Sequence, residues 1–250
     1  MSVGLAVSVL GVGLVSAVVE APLASAAALT PATYAAAVLA DSPLGYWRMD
    51  EATASGADSS PSGFNGIVDP AVTTVVGGPF AADQRVYQFP ATGHCGINLD
   101  AYAASLKVDT LSVEAWVLAE SPLLGQIYRV RTEGVELDVT NGSAIIGGYY
   151  AGGSDSITKP LPTGVWHHVV GVHSSASWSL YIDGALVGST PSNGPIYYGG
   201  SQVSIGTDPA CGAAPFIGRL SNVAFYASAL SPTRVAAHYS AAPGTDAGCV

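Results

Sequence analysis

Residues 164–189, GVWHHVVGVHSSASWSLYIDGALVGS, set Trp166, His167, His168, His173 and Trp178 within one short stretch. Three histidines so close raise zinc binding and general-base chemistry. Read as a strand, the segment puts His167 and His173 on one face and His168 on the other. The same-face pair is then about 20 Å apart, whereas zinc holds its ligands at about 2 Å. A zinc site inside this strand is excluded, and His168 is expected as a packed or hydrogen-bonded interior residue.

Acyl-transfer chemistry needs a serine on a sharp elbow. The nearest candidate, GGSDS, has Gly153 before Ser154 but Ser156 where the second glycine should fall. Glycoside hydrolysis needs two carboxyls, about 5–5.5 Å apart in a retaining enzyme. In TEGVELD, Glu136 and Asp138 share a strand face, Glu133 takes the other and Gly134 breaks the strand. Glu114 has no acid two or four residues away. Solvent-facing hairpin carboxylates are the expectation for Glu133 to Asp138, and the catalytic set is empty.

Two binding chemistries stand open. Calcium takes six to eight oxygens from carboxylates, amides and carbonyls, and residues 49–66 offer Asp50, Asp58 and Asn65 among Gly- and Ser-rich turns. The competing role is that Asp58 and Asn65 bond only their own turns. Sugars are held by aromatic faces with polar groups nearby. Tyr149–Tyr150 and Tyr197–Tyr198 each precede a Gly-rich stretch, and adjacent strand residues face opposite ways, so one of each pair can meet a ligand. The ligand set is placed at Tyr150, Tyr198 and Trp178, with Trp47, Trp116 and Trp166 as core anchors.

Which elements position these groups follows from composition and period. Val3 to Val19 is almost wholly apolar and is followed by Ala24-Ser25-Ala26, so residues 1–28 read as a secretory signal peptide, although no Lys or Arg precedes the apolar run. The competing assignment is an uncleaved anchor, but Glu20 and Pro22 leave a run at the short end for a span. The expectation is a secreted chain, off the membrane once cleaved. With 18 acids against 8 bases, it has no electrostatic route to nucleic acid or an anionic membrane. Cys95, Cys211 and Cys249 imply one disulfide in an oxidising compartment. Cys95 with Cys211 is the expected pair, since GHCGIN and PACGAA flank body strands while Cys249 lies in a Pro/Gly tail.

Almost every readable segment has period two. Leu111, Val113, Ala115 and Val117 alternate with Ser112, Glu114 and Trp116, and turn residues recur at short intervals, as in an antiparallel sandwich. Residues 166–189 read as a three-stranded meander turning at Asp183-Gly184, a dipeptide suited to the positive φ of a type I′ turn. Thr30-Pro31 opens a short helix within residues 29–40 with Tyr34, Val38 and Leu39 on its apolar face; Ser231-Pro232 opens a second. Both helices are expected to pack on the ends of the domain. The fold class is all-β: an antiparallel sandwich with short helices near both ends.

The meander resembles the Trp-His-His and Leu-Tyr-Ile-Asp-Gly core of laminin-G-like, or concanavalin A-like lectin/glucanase, domains of the pentraxin-related kind. Four further stretches agree in order: LGYWRMDE (44–51), the Asp-Ser-Ser-Pro-Ser-Gly-Phe-Asn-Gly turn region (58–66), LSVEAWV (111–117) and FIGRLSNVAFYASALSPTRVAAHY (216–239). The resemblance covers residues 41–240, leaving 241–250 as a tail. It implies a jelly roll of two large sheets, ligands at a rim or concave face, and in some relatives a rim-loop calcium. It implies a non-catalytic carbohydrate-binding or adhesion module whose partner is carbohydrate or another cell-surface polymer. Its alternatives are a glycoside hydrolase or lyase, whose Glu-x-Asp-x-Glu spacing TEGVELD does not meet, and a scaffold with no ligand.

Overall fold

The structure is a computed structural model that describes Met1 and residues 31–242 apart from Thr92, Leu124, Thr132 and Gly212. The expected signal segment beyond Met1, the Thr30 N-cap and Cys249 lie outside the described residues. No described helix is long and apolar enough to cross a membrane.

In chain order the strands are β1 (Gly45–Trp47), β2 (Ile67–Val68), β3 (Thr73–Val76), β4 (Arg85–Phe89) and β5 (Ile97–Asn98). Then come β6 (Leu111–Ala119), β7 (Gly125–Val130), β8 (Val135–Thr140), β9 (Ser143–Tyr150) and β10 (Gly153–Pro160). The remainder are β11 (His167–His173), β12 (Ser177–Ile182), β13 (Ala185–Pro191), β14 (Val203–Ile205) and β15 (Gly218–Tyr226). Helices α1 (Pro31–Ala40) and α2 (Pro232–Ser240) stand at either end of this order.

The strands form two sheets. One is eight-stranded, in the order β13-β12-β11-β6-β15-β4-β3 with β1 beside β15; the other is seven-stranded, β10-β9-β8-β7-β14-β5-β2. The paired strands run antiparallel, including the expected β11-β12-β13 meander. Its turn residues have φ of 50° at Asp183 and 76° at Gly184, as a type I′ turn requires. Asp183 does more than turn the chain: its carboxylate accepts from the His168 amide at 2.9 Å and pairs with His167 Nδ1 at 2.8 Å.

Alternation sends Val113, Ala115, Val117, Leu137 and Ile146 into the inter-sheet core, each such burial stabilising by about 1.5–3 kcal/mol for the larger aliphatics. The opposite face of β6 is buried as well, so only Leu118 in that strand is partly exposed. The cover comes from α1 and α2, which lie on the outer face of the eight-stranded sheet. Tyr34 and Val38 of α1 and Val235 of α2 join Trp116, Val170, Val172 and Tyr181 in a second apolar cluster. The helices therefore pack on a face, not on the ends of the domain. Leu39 turns out to solvent, 39% exposed, and the buried stripe of α1 is Tyr34, Ala35 and Val38. Helix α2 opens as the sequence indicates, with Ser231 Oγ accepting from the Arg234 amide and Pro232 in the first turn.

Cys95 and Cys211 are joined, with Cα atoms 4.6 Å apart. The bond ties the β4–β5 loop to the segment between β14 and β15.

Candidate ligand-binding site

Three segments of the seven-stranded sheet and its surroundings converge at one cleft: the turn between β7 and β8, the β9–β10 hairpin and residues 192–198. The Tyr149 amide donates to the Gly134 carbonyl at 3.2 Å, while the Tyr197 amide donates to the Tyr149 carbonyl at 2.7 Å. The cleft has a volume of about 640 Å³ and is lined by Glu133, Tyr149, Tyr150, Gly152, Ser154 and Tyr197 among others. That lies within the roughly 300–1,000 Å³ usual for ligand sites. Glycine matters at one point here: a Cβ on Gly153 would meet Tyr150 Oη at 2.8 Å, so a side chain there would shift the tyrosine ring from its place over the turn.

Residues 192–198 are fixed from several sides. Asp155 accepts from the Asn193 amide at 2.9 Å and from Asn193 Nδ2 at 2.5 Å. Asp109 accepts from the Ile196 amide at 2.7 Å, and Ser192 Oγ lies 2.9 Å from His173 Nε2. A segment held this way loses little freedom when a ligand arrives.

The expected ligand residues separate. Tyr150 lines the cleft. Of the second pair it is Tyr197, 49% exposed, that faces solvent; Tyr198 packs against the core and donates its hydroxyl to the Val108 carbonyl at 2.8 Å. Trp178 is no ligand platform. It is 2% exposed and packs with its ring centroid 4.2 Å from that of His173. Gly148 makes room for it, since a Cβ there would lie 2.6 Å from the indole. The signal for this was in the sequence, because Trp178 shares parity with the core residue Leu180. Nothing comparable distinguishes Tyr197 from Tyr198, which lie outside any strand. Glu133, expected as a solvent-facing hairpin carboxylate, is exposed and also lines the cleft.

Asp50, Asp58 and Asn65 do not form a calcium cage. Asp58 Oδ1 accepts from the Tyr46 and Ser60 amides, both at 2.8 Å. Its Oδ2 accepts from the Phe64 amide at 2.6 Å and Ser60 Oγ at 2.8 Å. Asn65 Oδ1 accepts from the Asp58 amide at 2.9 Å, and Asp50 pairs with Arg48 at 2.5 Å. These acceptors are committed to protein donors, which does not fit a metal site built on them. Among the described residues no three His, Cys, Asp or Glu side chains gather as metal ligands. Asp58→Ala is expected to lower stability by about 2–3 kcal/mol through the orphaned amides, with or without calcium. A calcium-dependent rise in melting temperature that disappears in this variant would contradict the turn role.

A carboxylate pair of different character sits on β8. Arg129 bridges Glu136 and lies 3.8 Å from Asp138 Oδ2. Burial pushes the Asp138 carboxyl up to about 7, with Arg129 opposing and Asp208 adding to the rise. A carboxyl raised in this way suits a general acid, but Asp138 is only 4% exposed, leaving little access for a glycosidic oxygen.

The densest ionisable cluster lies on the opposite side of the molecule, beneath the helices. Glu114, fully buried, accepts from Tyr34 Oη, Tyr226 Oη and His168 Nε2, each at 2.7 Å. His238 Nδ1 donates to its Oε2 at 3.0 Å. On the other edge of that ring, Nε2 faces Asp41 Oδ2 at 2.8 Å and the Ala37 carbonyl at 3.1 Å. Both nitrogens therefore meet only acceptors, and both must carry a proton: His238 is an imidazolium between two carboxylates. Burial lowers its pKa, but hydrogen bonding and charge from Glu114, then Asp41, outweigh that and raise it. Burial likewise pushes Glu114 up, and the His168 and His238 contacts overcome it to hold the carboxyl well below the usual range. The group is enclosed on all sides by protein, so it joins β6, β11 and β15 to both helices.

Similarity to known proteins agrees with this architecture. Domain 4 of AbnA, a GH43 extracellular arabinanase from Geobacillus stearothermophilus solved with arabinotriose, superposes with a TM-score of 0.62 at 16% identity, covering 79% of this chain and 98% of that one. The binding domain of Paraclostridial Mosquitocidal Protein 1 gives 0.58 at 15% identity over 73% of this chain and 48% of its own. The binding domain of botulinum neurotoxin serotype D gives 0.58 at 15% identity over 80% and 52%. The chain thus spans about half the length of the toxin domains. No curated protein matches by sequence. At these identities the likeness is one of fold, but the sequence itself matches the Laminin_G_3 family over residues 92–236, and the chain belongs to the concanavalin A-like lectin/glucanases superfamily.

Proposed function

We propose that this chain is a secreted, non-catalytic module that binds carbohydrate at the tyrosine cleft. The observation that carries the reading is the cleft itself, where the half-exposed Tyr197 stands with Tyr149 and Tyr150 beside the Glu133 carboxylate. Aromatic faces pack against the apolar face of a pyranose or furanose ring, and the phenol hydroxyls and Glu133 meet its hydroxyls. The structural neighbour solved in complex with arabinotriose makes arabinan a first polymer to try. The disulfide supports an oxidising, extracellular setting.

In native gels cast with soluble polysaccharides, Tyr197→Ala is expected to weaken retardation at least tenfold, as for a central aromatic contact. Retention of full binding in that variant would contradict the assignment. The β8 carboxyls Glu136 and Asp138, which share Arg129, are the groups that one rival, hydrolysis, would use. Release of reducing ends from arabinan or β-glucan, lost on Glu136→Gln, would establish it in place of the binding reading.

A further inference from the structure

Building on the glycan-binding reading, we infer that the cleft takes uncharged glycans and turns away acidic ones, with Glu133 as the discriminating group. Glu133 is the charged side chain of the lining, whose other members are tyrosines, serine and small residues. The arginines nearest it in sequence are engaged: Arg129 with Glu136, and Arg131 with Gln202 at 3.1 Å and Asp208 at 3.6 Å. The chain as a whole carries 18 acids against 8 bases.

A carboxylate has only acceptors to offer. Its two oxygens can each take a hydrogen bond from one hydroxyl of a neighbouring pair on a neutral sugar, and such charge-assisted bonds are the stronger kind. A uronic acid brings a second carboxylate into the same cleft. The tyrosine hydroxyls, being neutral, do not offset the repulsion, which at about 5 Å separation in a half-wet site is worth roughly fivefold to tenfold in affinity. Because the cleft is open, salt reduces this discrimination, with a Debye length of about 8 Å at physiological ionic strength. Selection by charge would thus add to selection by ring stacking, which by itself does not distinguish a neutral sugar from its uronate.

The test uses the chain with its disulfide intact, run through native gels containing debranched arabinan, barley β-glucan, polygalacturonate or alginate, at low salt and at about 0.5 M salt. The wild type is expected to be retarded by at least one neutral polymer and, at low salt, roughly tenfold less by either acidic one. Glu133→Gln should weaken neutral binding severalfold, narrow the gap between the two classes and remove most of its salt dependence. Tyr197→Ala should weaken retardation at least tenfold on every polymer. Equal retardation by polygalacturonate and neutral glycans, dependent on Tyr197 and indifferent to Glu133→Gln, overturns the charge selection while leaving the binding site in place. Absence of any Tyr197-dependent retardation overturns the binding site and the selection with it. Circular dichroism of each variant separates either result from misfolding.

Discussion

Glu114→Ala is expected to lower stability by about 3–5 kcal/mol, the range for removing one partner of a buried charge pair. Against a total of about 5–15 kcal/mol for a typical domain, that is a large fraction. The size follows from what stays behind: two buried tyrosine hydroxyls and His168 lose their acceptor, and the His238 imidazolium loses one of its two carboxylates. Thermal unfolding should show a drop on the order of 10 °C. A drop of only a degree or two would mean that the cluster is not closed as described.

The same cluster gives stability a pH dependence with a definite sign. The groups facing His238 and Glu114 are Tyr34 and Asp41 from the α1 side, Tyr46 from β1, His168 from β11, Tyr226 from β15 and Arg234 from α2 itself. His238 is raised above 6.5 in the folded state, so its contribution is complete below 6.5 and is lost as pH rises through the folded value. Glu114 is lowered below 4.5, so its contribution is complete above 4.5 and is lost on acidification. Asp138, raised from 3.8 to about 7, favours the folded state at low pH and loses that contribution as pH rises through about 7. Maximal stability is therefore expected on the acidic side of neutrality, with a melting temperature that falls as pH rises through about 7, where Asp138 ionises, and on above 6.5 as His238 gives up its proton. His238→Gln should lower stability throughout and flatten the alkaline part of the fall. An unchanged slope in that variant would place the proton elsewhere.

Loss of the disulfide is the second large effect. Its two cysteines are 116 residues apart, and cross-linking a loop of that size stabilises by about 4–5 kcal/mol on chain entropy alone, typically 2–4 kcal/mol as measured. Cys95→Ser or full reduction should thus lower the melting temperature by about 5–15 °C. The Cys95 amide also donates to Asp69 Oδ2 at 2.8 Å, a bond that anchors the loop without the cross-link and limits the loss. Identical unfolding of oxidised and fully reduced chains, with oxidation state verified by mass, would contradict this.

How much of this was legible depended on the range of the interaction. The β11–β12–β13 meander could be read because strand alternation and an Asp-Gly turn are local, and β6 because its alternation runs the length of the strand. Strands of two residues such as β2 and β5 carry no period to read. Nothing in the sequence announces that helices from the two ends of the chain meet over Glu114. Its partners are 54, 80, 112 and 124 residues away, and pairings of that separation leave no spacing motif. The cleft was half legible: its tyrosines stood out by type, yet the choice of Tyr197 over Tyr198 rests on how Asp155, Asp109 and Val108 hold an irregular segment. The turn role of the residues named for calcium was hidden for a related reason. Asp58 and Asn65 have the right atoms for a metal, but short-range backbone amides reach those atoms first.

Glycan binding at the tyrosine cleft is tested most directly by a crystal structure of the chain soaked with arabinotriose. A sugar ring against Tyr197, with hydroxyls at Glu133 and Tyr150, is the expected result. Sugar bound at any other place with the cleft empty would contradict it.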